Sequence, residues 1–255
     1  MQMRGIRRVA IMSAVAGAIG AAVGVHWWRT HSIGPVERGV RLAAANGCLV
    51  CHGAPGQRVD LDRGLGGAPP FTLDEVKSRA RTEEEIREWI LDGEPSRLRE
   101  QPAADVDPAI IRMPSFRRHL SKGEATDLVA LVKASSDFDE LPPAAAGGRA
   151  LAGRLGCFGC HGPGGQGDTP NGGSLKGYIP SWTGSDFDEL VRDSRELREW
   201  IHDGTPERLR KNPVARFFLE RQTVRMPAYG DRVTAEEIDA IESYIRSLRS
   251  ARPQS

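Results

Sequence analysis

The chain holds only four cysteines in 255 residues, aromatic side chains make up 6% of it, and neither sign of charge prevails, with 35 Lys and Arg against 34 Asp and Glu. A net charge of +1 excludes the basic footprint of a nucleic-acid binder and the acidic excess of a solvating tail. With few aromatics and with 29 glycines and 17 prolines, two small domains of this composition would have thin cores unless something else fills them. No stretch alternates apolar and polar residues as a strand would, so the expected fold class is all-α.

There is one long hydrophobic run, Val9 to Trp28, nearly free of polar groups before His26 and preceded by Arg4, Arg7 and Arg8. Twenty helical residues span about 30 Å, one hydrocarbon thickness. Arginines before the run and Trp27-Trp28 after it place the following residues on the outer side of a cytoplasmic membrane. Residues 1–33 are thus expected to form a single-pass anchor, with a cleavable signal segment as the other reading, since Ala22-Val23-Gly24 offers small residues for cleavage. Either one exports the rest of the chain to the periplasm.

The exported part is a repeat. I-R-E-W-I-L-D-G-E-P-S-R-L-R-E at 86–100 matches L-R-E-W-I-H-D-G-T-P-E-R-L-R-K at 197–211, and I-R-M-P at 111–114 matches V-R-M-P at 224–227. Domains are accordingly expected at 34–141 and 142–255, joined by a hinge over 137–148. Pro35 opens a helix that ends at Gly47, and residues 144–155 form its counterpart before Gly156. Thr82-x-x-Glu85, Ser121-x-x-Glu124 and Thr234-x-x-Glu237 mark further helix starts, and Ile238, Ile241, Tyr244, Ile245 and Leu248 line one face of the last helix. The segments after each motif histidine read as long loops, which a compact domain keeps when they wrap something.

The four cysteines all fall in two copies of Cys-x-x-Cys-His, C-L-V-C-H at 48–52 and C-F-G-C-H at 157–161, and none is left for a disulfide. Two thiols on one helical turn can each add to a haem vinyl group while the histidine behind them is held under the ring, so the motif points to c-type haem attachment. A four-cysteine zinc site would place its pairs closer together, and a thioredoxin-like site would need a βαβ unit. Outside the N-terminal segment the only methionines are Met113 and Met226, at matching repeat positions in Arg-Met-Pro. One per repeat suits a second axial iron ligand, a soft thioether that favours the reduced metal.

Helix, Cys-x-x-Cys-His, loop, helix, Met-Pro and last helix, taken together over about 34–250, resemble the class I cytochrome c family in tandem. The resemblance implies an all-α fold with two covalently bound c-type haems, thioether bonds at Cys48, Cys51, Cys157 and Cys160, proximal iron ligands His52 and His161, and distal ligands Met113 and Met226. It also implies a proline carbonyl that orients each proximal imidazole, with Pro70 and Pro180 as candidates, and a glycine and aromatic contact between first and last helices that Tyr244 satisfies and Leu131 does not. The chain departs from the family between Asp-Gly and Met-Pro, where both copies carry an insertion with Pro-x-Arg-Leu-Arg. Arg97, Arg99, Arg208 and Arg210 there read either as a solvated basic turn or as a dock for an acidic partner or haem propionates, and Arg112 and Arg225 are further propionate candidates. Trp89 and Trp200 are expected to pack core.

The function expected is that of a membrane-anchored dihaem carrier of single electrons between respiratory-chain or dehydrogenase partners on the periplasmic side. It needs redox protein partners and no small-molecule substrate, and it is not an enzyme. The competing class is a dihaem redox enzyme, peroxidase-like or a sulfur-compound dehydrogenase, with one open haem iron.

Overall fold

The computed structural model describes residues 15, 17–20, 24, 33–54, 73–100, 112–136 and 138–251. The chain divides into two compact units, Met1–Ile33 and Gly34–Ser255. Among the described residues no helix is long and apolar enough to cross a membrane. The anchor expected over Val9–Trp28 falls mostly outside them, as does Pro70.

The second unit holds both repeats. The first runs through α1 (Pro35–Ala45), α2 (Cys48–His52), α3 (Leu73–Arg79), α4 (Glu83–Asp92), α5 (Ser96–Arg99) and α6 (Lys122–Ser136). The second follows the same plan through α7 (Pro143–Arg154), α8 (Cys157–His161), a 3-10 turn at Pro163–Gly165, the two-residue strands β1 (Thr169–Pro170) and β2 (Tyr178–Ile179), then α9 (Asp186–Leu190), α10 (Ser194–Asp203), α11 (Glu207–Lys211), α12 (Pro213–Arg221) and α13 (Ala235–Ser250). The strands pair antiparallel, Thr169 opposite Ile179.

Local chemistry accounts for most boundaries. Thr82 and Asp193 cap α4 and α10 by accepting the Glu85 and Glu196 N–H groups, while Ser121 and Glu124, and Thr234 and Glu237, exchange reciprocal bonds at the starts of α6 and α13. Each motif helix follows a glycine in the left-handed region, Gly47 at φ 74° and Gly156 at φ 78°, so the chain reverses from the first helix into the motif at a residue that bears no Cβ strain. The first and last helices of each repeat cross where a glycine lets backbones touch. An added Cβ at Gly39 would lie 2.3 Å from the Asp127 carbonyl oxygen, and one at Gly148 would lie 1.8 Å from that of Ala240.

Each repeat closes its own core. Val36, Ala43, Ile86, Ile90, Leu128, Val129 and Leu131 are buried in the first. The second buries Leu151, Trp182, Leu197, Ile201 and the expected face of α13, Ile238, Ile241, Tyr244 and Ile245, each aliphatic side chain there contributing about 1.5–3 kcal/mol. Trp89 packs on the first core, and Trp89 and Trp200 donate their indole N–H groups to the Arg79 and Leu190 carbonyls, at 3.2 and 3.1 Å.

Three readings of the sequence change. The hinge expected over 137–148 is helical from Pro143, because proline at the first helical position costs no hydrogen bond. The loop after His161 holds the short strand pair and the turn between them. The insertion before Met226 folds as α11 and α12, the latter started by Asn212, whose Oδ1 accepts the Val214 and Ala215 N–H groups.

The first arginine of each Arg-Leu-Arg motif serves the fold. Arg97 Nε lies 2.8 Å from Glu85 and Arg208 Nε lies 2.7 Å from Glu196, so the first arginine of each motif braces the start of the tryptophan helix instead of facing outward for a partner. Glu196 is buried, and hydrogen bonding from Arg208 holds its carboxyl down at about 2. A depressed carboxylate stabilises the fold above its ordinary value of 4.5, and that stabilisation is lost as pH falls toward about 2. With Arg208 partly open to solvent the contribution comes to about 2–3 kcal/mol. Glu196→Gln is therefore expected to lower the urea midpoint clearly at pH 6 and by much less at pH 3; an equal loss at both would contradict the assignment.

Candidate functional site

The motif helices are single turns with the first cysteine and the histidine at their ends. Cys48 and Cys157 pack against the two cores, while Cys51 is exposed and Cys160 half-buried. In the first repeat His52, Cys48 and Met113 line one cleft with Ile90, Phe116, Leu120, Leu128, Leu131 and Val132. The walls are apolar apart from Asn46 and the motif residues. The structure thus brings the expected proximal and distal ligands of the first iron to one space.

The methionine segments are held by the tryptophan helices. A helix end leaves carbonyls without partners, and here those of α4 and α10 accept N–H groups from the residues after Met-Pro. Phe116 and Arg117 donate to Ile90 and Leu91 at 3.3 and 3.0 Å, and Tyr229 and Gly230 donate to Ile201 and His202 at 3.0 Å each. Glycine at 93 and 204 leaves room for this approach, since a Cβ there would meet the Met113 and Met226 carbonyl oxygens at 2.4 and 2.6 Å. The repeated Asp-Gly therefore sets where each methionine stands.

In the second repeat the His161 ring lies 5.1 Å from Trp182, which in turn packs on Phe158 and Tyr244. The residue as a whole is half-buried, but its Nδ1 is fully buried and meets no acceptor in hydrogen-bond geometry. Burial pushes the imidazole down to about 4, and the nearby Pro180 backbone opposes this only in part. The ring is therefore neutral at physiological pH, the form that binds a metal. Pro180 thus stands beside the imidazole, as the resemblance implies. Burial pushes the Cys157 thiol up to about 11. Cys157 and Met226 pack on the same core, and Tyr229, three residues after Met226, lies near Cys157 and Cys160 and donates its hydroxyl to the Leu155 carbonyl at 3.2 Å.

Arg112 and Arg225 are exposed, and the Arg225 guanidinium donates to the Glu220 carbonyl. Several residues escaped the sequence reading. Asn171 holds the approach to Met226, with Nδ2 donating to the Val224 carbonyl and Oδ1 accepting the Val224 N–H, both at 2.9 Å. Trp182 had a signal, an aromatic two residues beyond Pro180 in a segment read as loop; Asn171 had none.

The donor sets fit a covalently held haem: each repeat brings two thiols on one turn, a histidine behind them and a thioether, with apolar walls around His52 and Met113 in the first and a neutral imidazole at His161 in the second. Residues 145–249 match the family model described as Cytochrome c. No curated protein matches the chain. The family match supports a class I cytochrome c over the second repeat, acting as a haem electron-transfer protein, and implies a covalently bound c-type haem.

Proposed function

We propose that the chain carries two c-type haems, one per repeat, and passes single electrons between redox proteins on the periplasmic side of the cytoplasmic membrane, tethered there by its N-terminal segment. The observation that carries this reading is the apolar cleft lined by both His52 and Met113, because it extends to the first repeat the donor set that the family match supports in the second. Bound haem iron would supply the one-electron exchange. Cys48 and Cys51, and Cys157 and Cys160, would tether each group. His52 and His161 would hold iron from one side, while Met113 and Met226 would fill the other and favour the reduced state. With an imidazole and a thioether from the protein holding each iron, a substrate would have no place at either metal, which supports transfer between proteins over chemistry on a small molecule.

The test is to replace the cysteines in pairs in the full chain. Cys48→Ser with Cys51→Ser, and Cys157→Ser with Cys160→Ser, are each expected to lower the covalent haem read by intact mass from two per chain to one. A parent chain with a single haem, untouched by the first pair of substitutions, would overturn the two-haem reading.

A further inference from the structure

The segment that follows His161 is held by the other repeat. Asp168 is buried, at 2% exposure, and its two carboxylate oxygens serve different repeats. Oδ2 accepts the Gly34 N–H at 2.7 Å, at the start of α1, and Oδ1 accepts the Ser181 N–H at 2.8 Å. Ser181 stands between Pro180, whose backbone is the polar group beside His161, and Trp182, which packs on the His161 ring. Trp182 N–H donates to Gly165, and Gly167 N–H donates to the His161 carbonyl itself, at 2.8 and 2.9 Å. A second tie lies close by, where Arg149 donates to the Ala134 carbonyl near the end of α6 at 3.0 Å and reaches over the ring of Phe158.

We propose that Asp168 is a positioning residue for the second iron site, and that through it the first repeat sets how the His161 imidazole is held. The inference rests on the reading of His161 as an iron ligand. The carboxylate suits this task because one charged group can take two backbone N–H bonds at once, each stronger than a neutral one. Gly34 makes the approach possible, since a Cβ there would already stand 3.3 Å from Asp168 Oδ2. At the matching distance after His52 the first copy has Val59, which cannot accept a hydrogen bond through its side chain. Near-identical motifs would thus yield two haem sites of different stiffness and potential.

Two substitutions in the full holoprotein test this from opposite sides. Asp168→Asn keeps an acceptor for Ser181 but turns an amide donor toward the Gly34 N–H. Gly34→Pro keeps the Asp168 side chain but replaces the donor with a ring carbon that the carboxylate must move away from, at φ −69°, a value that proline adopts. In each variant the second haem's redox wave is expected to move upward while the first stays in place, since a loosened imidazole is a less basic ligand to the oxidised iron. Hydrogen exchange at the Ser181 amide is expected to quicken about tenfold. Wild-type exchange at Ser181 and an unmoved second wave in Gly34→Pro would overturn the proposal and leave Asp168 a residue of its own repeat. A chain with no second wave at all would instead overturn the assignment of His161, while the Ser181 exchange would still test the link from Gly34.

Discussion

Replacing Gly148 by alanine is expected to cost the second repeat about 3 kcal/mol or more, a fall in its unfolding midpoint on the order of 10–20 °C. The added methyl group would lie 1.8 Å from the Ala240 carbonyl oxygen and 2.4 Å from its carbon, backbone atoms of α13 that no rotamer change can clear. The helices must move apart, and the packing of Ile241, Tyr244 and Ile245 beneath them is lost with the crossing. Gly147 is the control, because it sits in the same helix with nothing within 4 Å of its Cβ position. There alanine is expected to stabilise by about 1 kcal/mol through helix propensity. Thermal unfolding of the two variants side by side reads the contrast; a Gly148→Ala protein as stable as Gly147→Ala would show that the helices do not cross as described.

The second large effect concerns the metal. Met113→His is expected to lower the potential of the first haem by a sizeable part of the roughly 0.8 V over which axial ligands range, since a second imidazole favours the oxidised iron where a thioether favours the reduced. The second haem's wave is expected to stay in place, because Met226 has its own support in Tyr229, Gly230 and Asn171. A spectroelectrochemical titration separates the waves. Equal displacement of both would mean that the sites titrate as one.

The parts of this molecule that were legible in the sequence are those governed by neighbours along the chain. Capping residues, the proline at the head of α1, the two motifs and the apolar face of α13 all follow from spacings of a few residues, and they locate the candidate ligands. Ties over longer separations were not readable. Arg97 reaches Glu85 and Arg208 reaches Glu196 across twelve positions, so a motif that looks like a basic turn is an internal brace. Asp168 bonds Gly34 from 134 positions away, and no local pattern marks a buried carboxylate of that kind. The helix α12 was missed for another reason. Its start signal, Asn212-Pro213, and a helical spacing of apolar residues, Val214, Phe217 and Phe218, are in the sequence, but the helix is only nine residues long and none of them is buried.

The central claim is that each repeat closes both axial positions of its iron with protein, which makes the chain a carrier and leaves no metal open to a substrate. Optical spectra of the full-length holoprotein, oxidised and reduced, before and after carbon monoxide is added to the reduced form, test it most directly. The account predicts two low-spin haems per chain and reduced spectra that carbon monoxide leaves unchanged. A haem that becomes high-spin on reduction and binds carbon monoxide would contradict it, placing Met113 or Met226 off the metal and bringing forward an enzyme with an open iron.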